Sequence, residues 1–329
     1  MAFATEASMG KLRKLAFIGN SKAGKGSGDQ LFRMARRSLW GWESEIFQPE
    51  SAQELFEVCR DLDPDQYEAA VVAGGDGTAN WAIRGLMQSG VPLFPFPSGT
   101  ANDLARQMGV MPDWAQAQTI LDRREFTQID LIEANGVPFA TVAGIGIGAT
   151  LTSHFNEWRI KSQLFTTVSQ RLRSQVYTAL TLKTIFADSN SEKYIRIQAG
   201  SFDEKIKTSA VFICNQSTLG GDMKVAPHAK NSDQKLELLV IPRTSKFGLI
   251  HALKKLKESK EKGNSFSKDF ILFSTEKVMI QDLRGKTLSV FGDGEILSNS
   301  NRVEFKIMPA ALNIYRGTRR NAGTQEISE

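Results

Sequence analysis

Three short segments carry residues suited to holding phosphate. Gly74-Gly75-Asp76-Gly77-Thr78-Ala79-Asn80 follows an apolar run that ends at Ala73. Glycines allow close backbone approach to a phosphate, Asp76 can bind magnesium, and Thr78 and Asn80 can donate hydrogen bonds. Pro97-Ser98-Gly99-Thr100-Ala101-Asn102-Asp103 follows the next apolar run, where Thr100 or Asn102 can also cap a helix. Gly19-Asn20-Ser21-Lys22-Ala23-Gly24-Lys25-Gly26 comes directly after Leu15-Ala16-Phe17-Ile18. It approximates G-x-x-x-x-G-K-[ST], but Gly26 stands where a hydroxyl should meet magnesium, which argues against a conventional P-loop nucleotidase. Gly292-Asp293-Gly294-Glu295 sets two carboxylates one residue apart. Alone it is ordinary turn sequence.

The elements that must position these loops alternate. Short apolar runs at 15–18, 45–47, 69–73 and 91–96 read as strands, separated by helical patterns at 28–40, 51–61, 79–88 and 100–108. Such alternation predicts a parallel sheet with helices on its faces, and such sheets bind ligands at the C-terminal ends of their strands. After about residue 125 the pattern changes. Residues 127–134 and 137–143 flank Asn135-Gly136, a strong hairpin signal. Further strands are expected at 194–199, 208–214, 236–241, 270–281, 287–291 and 302–307, with helical stretches near 158–185 and 246–259. The fold class is therefore an α/β N-terminal domain followed by a mainly antiparallel β C-terminal domain. The tail, 322–329, is polar and expected to be disordered.

Composition narrows the function. The 329 residues are 41% apolar, enough for about two cored domains. Cys59 and Cys214 form no CxxC pair, so neither a zinc site nor a disulfide framework is implied. No apolar run approaches the ~18 residues that span a bilayer. The short run after Lys11, Arg13 and Lys14 is no signal peptide, so the expected location is the cytoplasm. The net charge of +5 is concentrated in 11–37 and in 243–268, where Lys254, Lys255, Lys257, Lys260 and Lys262 lie. Such clusters suit phosphates or anionic lipid, and no nucleic-acid recognition motif accompanies them.

Gly74-Gly75-Asp76-Gly77-Thr78, followed some twenty residues later by Gly99-Thr100-Ala101-Asn102-Asp103, resembles the diacylglycerol kinase catalytic family. NAD kinases and phosphofructokinases share the first element; the second points to the lipid branch. The likeness extends through Val142-Ala143-Gly144-Ile145-Gly146, the Gly220-Gly221-Asp222-Met223 to Ala226-Pro227 segment, Asp233 with Leu236, and Gly292-Asp293-Gly294-Glu295. It implies a nucleotide-binding domain of residues 11–132, rejoined by about 308–317, and a sandwich-like lipid domain of 133–307. It implies an ATP- and Mg2+-dependent lipid kinase that touches the membrane peripherally, and it suggests a homodimer. ATP would lie over Asn20, Ser21, Lys22, Ala23, Gly24, Gln48, Gly74, Gly75, Asp76, Gly77, Thr78, Asn80 and Thr100.

The same resemblance makes Glu295 or Asp293 the catalytic base. It also implies a structural magnesium held by the Asp233 side chain and the Lys230 and Lys235 carbonyls, with Asp76, Asp103 and Asp130 joining through water. The chain departs from the family pattern in four places. Its first loop lacks the usual proline and serine, Gln48 replaces a frequent threonine, an acidic residue near Gly148 is replaced, and Gln234 stands where a glycine follows the aspartate. Diacylglycerol is the default substrate; a sphingoid base, phosphatidylglycerol, a polyprenol or a soluble acceptor stay open, as does a catalytically weak lipid- or nucleotide-binding regulator. The amphipathic stretch 158–182, with Trp158, Phe165 and Tyr177 among interleaved arginines, could line an acyl-chain cleft or pack against a core.

Overall fold

The computed structural model describes residues 14–19, 27–99, 102–145, 193–219, 223–245, 248, 251–252, 254–256, 264–293 and 295–317. The first part alternates as the sequence predicts: β1 (Lys14–Gly19), α1 (Ser27–Ser38), β2 (Glu43–Phe47), α2 (Ala52–Arg60), β3 (Ala69–Gly74), α3 (Asp76–Ser89), β4 (Leu93–Pro97), α4 (Asp103–Gln107) and α5 (Trp114–Arg123). Strands β2, β1, β3 and β4 pair in parallel in that order. Both faces are covered, so β3 and, after Lys14, β1 are apolar and almost wholly buried. Helix α3 approaches α2 closely because residue 85 is glycine: a Cβ there would stand 2.5 Å from the Phe56 carbonyl oxygen.

Three helices differ from expectation, among them α4, which spans Asp103–Gln107 where 100–108 was expected. Helix α3 starts at Asp76, three residues early, so the glycine-rich segment is the first turn of the helix as well as its approach. Helix α5 was not expected, although Asp113 is an N-cap residue type and Trp114, Ala117, Ile120 and Leu121 bury one face at helical spacing. Asp113 caps it by accepting from the Ala115 N–H, and Trp114 stacks on Phe96 with ring centroids 3.8 Å apart.

The remainder is β-rich: β5 (Phe126–Ala134), β6 (Val137–Phe139), β7 (Val142–Ile145), β8 (Lys193–Ala199), β9 (Phe202–Cys214), β10 (Thr218–Leu219), β11 (Met223–Lys224), β12 (Leu236–Pro242), β13 (Ser265–Phe266), β14 (Ile271–Thr275), β15 (Lys277–Asp282), β16 (Leu288–Gly292), β17 (Glu295–Ser300) and β18 (Arg302–Tyr315). Pairing among them is antiparallel. The expected run 270–281 is two strands, β14 and β15, broken at Glu276. Residues 248, 251–252 and 254–256 are helical, with Ala252 and Leu256 buried. The stretch 158–185 and the tail 322–329 lie outside the described residues.

Strand β18 joins the two parts. Its start pairs with β15, β5 runs along it from Phe305 to Tyr315, and at Ile314 it also pairs with Leu93 of β4. Leu312, Ile314 and Tyr315 belong to the core of the α/β sheet, and Val303, Phe305 and Ile307 to the β core. The register shifts between Met308 and Leu312, and Ala310 there takes φ 50°. A bulge of this kind re-aims a strand, here from one core to the other.

Candidate active site

The loops after β3 and β4 emerge side by side at the C-terminal edge of the parallel sheet. The Ser98 N–H donates to the Gly74 carbonyl at 3.1 Å. Gly75 and Gly99 meet backbone to backbone: a Cβ on Gly99 would lie 2.5 Å from the Gly75 Cα. Asn102, at φ 51°, closes the second loop by accepting from the Gly99 N–H at 2.8 Å and donating to the Gly99 carbonyl at 2.9 Å. Asp76 Oδ1 then accepts from the Leu104 N–H at 3.4 Å, which ties the start of α3 to the start of α4. Burial, followed by the carboxylates of Asp103 and Asp293, pushes the Asp76 carboxyl up to about 7. Two aspartates at adjoining helix starts thus concentrate negative charge beside the glycine loops.

The β16–β17 turn enters this edge from the β-rich part. Asp293, 6% exposed and at φ 49°, accepts four hydrogen bonds. Oδ2 receives the Asn80 amide at 2.9 Å and the Ala140 N–H at 2.7 Å. Oδ1 receives the Thr141 N–H at 3.1 Å and the Thr141 hydroxyl. Those two amides explain why the hairpin strand expected over 137–143 breaks into β6 and β7: Ala140 and Thr141 donate to Asp293 instead of to a neighbouring strand. Asn80 is wholly buried, and its amide also donates to the Pro138 carbonyl at 3.2 Å. It acts between the two parts of the chain, not on the open face of the loop. Asp293 likewise has its oxygens occupied by fixed donors.

Glu295, two residues on, stands differently. Oε1 accepts from the Trp81 indole N–H, while Oε2 accepts no hydrogen bond among the described residues and lies 3.8 Å from Arg84 Nη2. The Glu295 side chain keeps 31% of its surface exposed. Burial raises its proton affinity, opposed by Trp81 and Arg84 and reinforced by Asp293. A half-buried carboxylate with one oxygen open, beside phosphate-type loops, can accept a proton from a hydroxyl.

The remaining expected metal residues gather elsewhere. Asp130 Oδ2 accepts from the Gln234 N–H at 2.7 Å, and Oδ1 from the Ala310 N–H at 2.8 Å. Its own N–H donates to the Asn231 carbonyl, and its carbonyl receives the Asn215 amide, both at 2.7 Å. Asp130 therefore fastens loop 230–235 and the β18 bulge to β5. Asp233 Oδ1 accepts from the Lys235 N–H at 3.3 Å, and Asp233 and Lys230 line a cavity of about 630 Å³ with Met108, His228 and Arg316. Among the described residues no three His, Cys, Asp or Glu side chains form a metal-ligand cluster.

Two family models cover this chain. Residues 14–134 match the diacylglycerol kinase catalytic domain, and residues 145–316 match the YegS C-terminal NAD kinase beta sandwich-like domain. The chain belongs to the diacylglycerol kinase catalytic family. It is a lipid kinase of that type. A Pseudomonas aeruginosa (strain PAO1) protein named "Probable lipid kinase YegS-like" is 28% identical over 253 residues, 76% of each chain. A Bacillus subtilis (strain 168) protein named "Diacylglycerol kinase" is 24% identical over 208 residues, 62% of this chain and 65% of that one. A crystal structure of a diacylglycerol kinase from Bacillus anthracis superposes with a TM-score of 0.69 at 19% identity, covering 94% of this chain and 98% of that one.

In this kinase Gly74, Gly75, Asp76, Gly77 and Asp103 converge with Asp293 and Glu295; a Cβ on Gly77 would lie 3.8 Å from the Asp293 carbonyl oxygen. Thr78 is packed against Gly74, and Gln48 lies just past the end of β2. Asn20, Ser21, Lys22, Ala23, Gly24 and Thr100 lie outside the described residues. Sequence reasoning missed Trp81, Arg84 and Thr141. Trp81 and Arg84 follow Asn80 at helical spacing of one and four, a signal readable once Asn80 was placed on a helix facing the site. Thr141 carried no such signal.

Proposed function

We propose that the kinase transfers the γ-phosphoryl group of ATP to the hydroxyl of diacylglycerol or a related lipid, with Glu295 as general base. The observation that carries this reading is the open Oε2 of Glu295, held through Oε1 by Trp81 on the helix that segment 74–78 begins, while the oxygens of Asp293 are already engaged. The lipid oxygen forms a bond to the γ-phosphorus. The bond from phosphorus to the β,γ-bridging oxygen breaks, its electron pair leaves with ADP, and the hydroxyl proton passes to Glu295 Oε2. Because phosphoryl transfer leaves little covalent work to the protein, alignment by the glycine loops and the placing of this one acceptor carry most of the effect. Nucleotide contacts are assigned to 20–24, Gln48, 74–78 and Thr100.

The charge gathered at Asp76 and Asp103 fits a divalent cation, since burial and then the carboxylates of Asp103 and Asp293 hold Asp76 against its own ionisation. Mg2+ bound there would neutralise the phosphates and the charge that develops in transfer. A structural Mg2+ on Asp233 and the Lys230 and Lys235 carbonyls suits the oxygen-rich loop 230–235, and Asp130, whose oxygens already accept the Gln234 and Ala310 N–H groups, would join only through water. Peripheral docking on the membrane follows from a lipid acceptor, and among the described residues no helix is long and apolar enough to cross a bilayer.

The test is transfer of label from ATP to a panel of lipids in mixed micelles with Mg2+, beside Glu295→Gln. The expected result is label in one lipid class and a loss of about 10²–10⁴-fold in the variant. Full activity in Glu295→Gln overturns the assignment of the base; no label in any lipid overturns the lipid reading.

A further inference from the structure

Helix α3 offers the β16–β17 turn three side chains on one face. Asn80 holds Asp293, whereas Trp81 and Arg84 meet Glu295. The Arg84 guanidinium lies over the Trp81 ring, 4.6 Å from its centroid, and Nη2 is 3.8 Å from Glu295 Oε2. Arg84 Nε is buried and makes no hydrogen bond. This cation is stacked on an indole and aimed by it, while remaining too far from Oε2 to occupy its lone pairs.

We propose that Trp81 and Arg84 are positioning residues for the phosphoryl transfer: the indole pins Oε1 of Glu295 so that Oε2 faces the acceptor hydroxyl, and the stacked guanidinium supplies the countercharge. The proposal rests on the reading of Glu295 as base. Its physical logic is a division of labour between the two carboxylate oxygens. A base half removed from water loses ionisation, and a direct bidentate arginine would restore it but would consume both oxygens. An indole donor on Oε1 and a cation held near 4 Å from Oε2 preserve the charge and leave one oxygen reactive. The charged groups facing Glu295 are Arg84 from α3 and Asp293 from its own turn; burial and Asp293 raise its proton affinity, and Trp81 and Arg84 lower it. Glu295 and Asp293 in turn favour the charged form of Arg84 against its own burial. The two residues belong to α3, the helix that the phosphate loop starts, so the base is aligned by the element that also sets the loop.

Two measurements test this. In the first, kcat/KM for lipid phosphorylation is followed against pH in the parent, Trp81→Phe, Arg84→Gln and Arg84→Lys. Trp81→Phe keeps the ring and loses the N–H; kcat is expected to fall between about 10- and 100-fold, with the KM for ATP unchanged. In Arg84→Gln the acid limb moves to higher pH, and Arg84→Lys moves it back. Equal losses at every pH in both Arg84 variants, or no loss in Trp81→Phe, overturn the positioning role. In the second, the indole N–H resonance of Trp81 is followed by ¹⁵N NMR without nucleotide or lipid. It is expected to titrate with pH, to stop doing so in Glu295→Gln, and to titrate at higher pH in Arg84→Gln. A resonance blind to both pH and Glu295→Gln overturns the inference whatever the activity. A parent that shows this titration but phosphorylates no lipid overturns the kinase reading and not the contact.

Discussion

The Asn80 amide of α3 donates at 2.9 Å to Oδ2 of Asp293, a bond that spans 213 positions of sequence and joins the helix that follows the glycine-rich loop to the turn bearing Glu295. With Ala140 and Thr141 it converts Asp293 into a buried junction where α3, the β6–β7 connection and the β16–β17 turn meet. Such a fully satisfied carboxylate stores little reactivity and much geometry.

Asp293→Asn should therefore act on stability as much as on turnover. The amide nitrogen would face donors that now point at an oxygen, and at least one buried N–H would lose its acceptor. We expect a loss of about 3 kcal/mol, read as a fall in the midpoint of denaturant unfolding. The kcat should drop along with it through displacement of Glu295. A variant as stable as the parent but catalytically dead would identify Asp293 as the base instead.

Asp76 sets a pH dependence of folding. Its carboxyl is pushed up to about 7 by burial and then by Asp103 and Asp293, above the ~4 of an unfolded chain. The native state thus binds this proton more tightly than the unfolded state. The stability it contributes is complete below pH ~4 and is lost as pH rises through about 7. In EDTA the melting temperature of the parent should fall, relative to Asp76→Asn, between pH 5 and 8.5. Adding Mg2+ should recover part of the difference in the parent alone. Parallel curves for the two proteins would refute the burial argument.

Gly99→Ala tests the contact of the two loops. The added Cβ would stand 2.5 Å from the Gly75 Cα, and both partners are backbone, so neither can turn aside. The loops must part, at a cost of about 1–3 kcal/mol. Affinity for a fluorescent ATP analogue is expected to fall at least tenfold, while Gly90→Ala, at a helix end with open space around it, leaves that affinity intact.

Much of this was legible in the sequence because it rests on local patterns. Buried strands such as Ala69–Gly74 are apolar runs of the right length, and Asn135-Gly136 forms the two-residue turn its residue types require, at φ 49° and 85°. What stayed hidden depends on long-range pairing. Nothing near Ala140 announces that its N–H serves Asp293, so one strand was expected where there are two. Strand β17 follows from the turn at Asp293, and the last half of β18 is a strand only because β5 and β4 await it. The site divides in the same way. The glycine loops and the paired carboxylates were readable as motifs, whereas the different surroundings of Asp293 and Glu295 are set by Trp81, Arg84 and Thr141, which touch them only after folding.

The last prediction concerns the residue where this chain lacks the family's glycine. Gln234 takes φ 60°, and its N–H donates to Asp130 Oδ2 at 2.7 Å, so the loop that carries Asp233 is held in a left-handed turn by a residue with a Cβ. An L-residue there bears a steric cost of about 1–2 kcal/mol. Glycine removes it at an entropic cost of roughly 0.5–1 kcal/mol in the unfolded chain. Gln234→Gly should thus stabilise the protein by up to about 1 kcal/mol with the Asp130 bond kept, read as a higher denaturant midpoint at constant m-value. Gln234→Val, branched at Cβ and poorly tolerated at positive φ, should destabilise it. If Gly and Val move the midpoint in the same direction, backbone strain at this turn is not what loop 230–235 responds to, and the Asp130 latch alone fixes its shape.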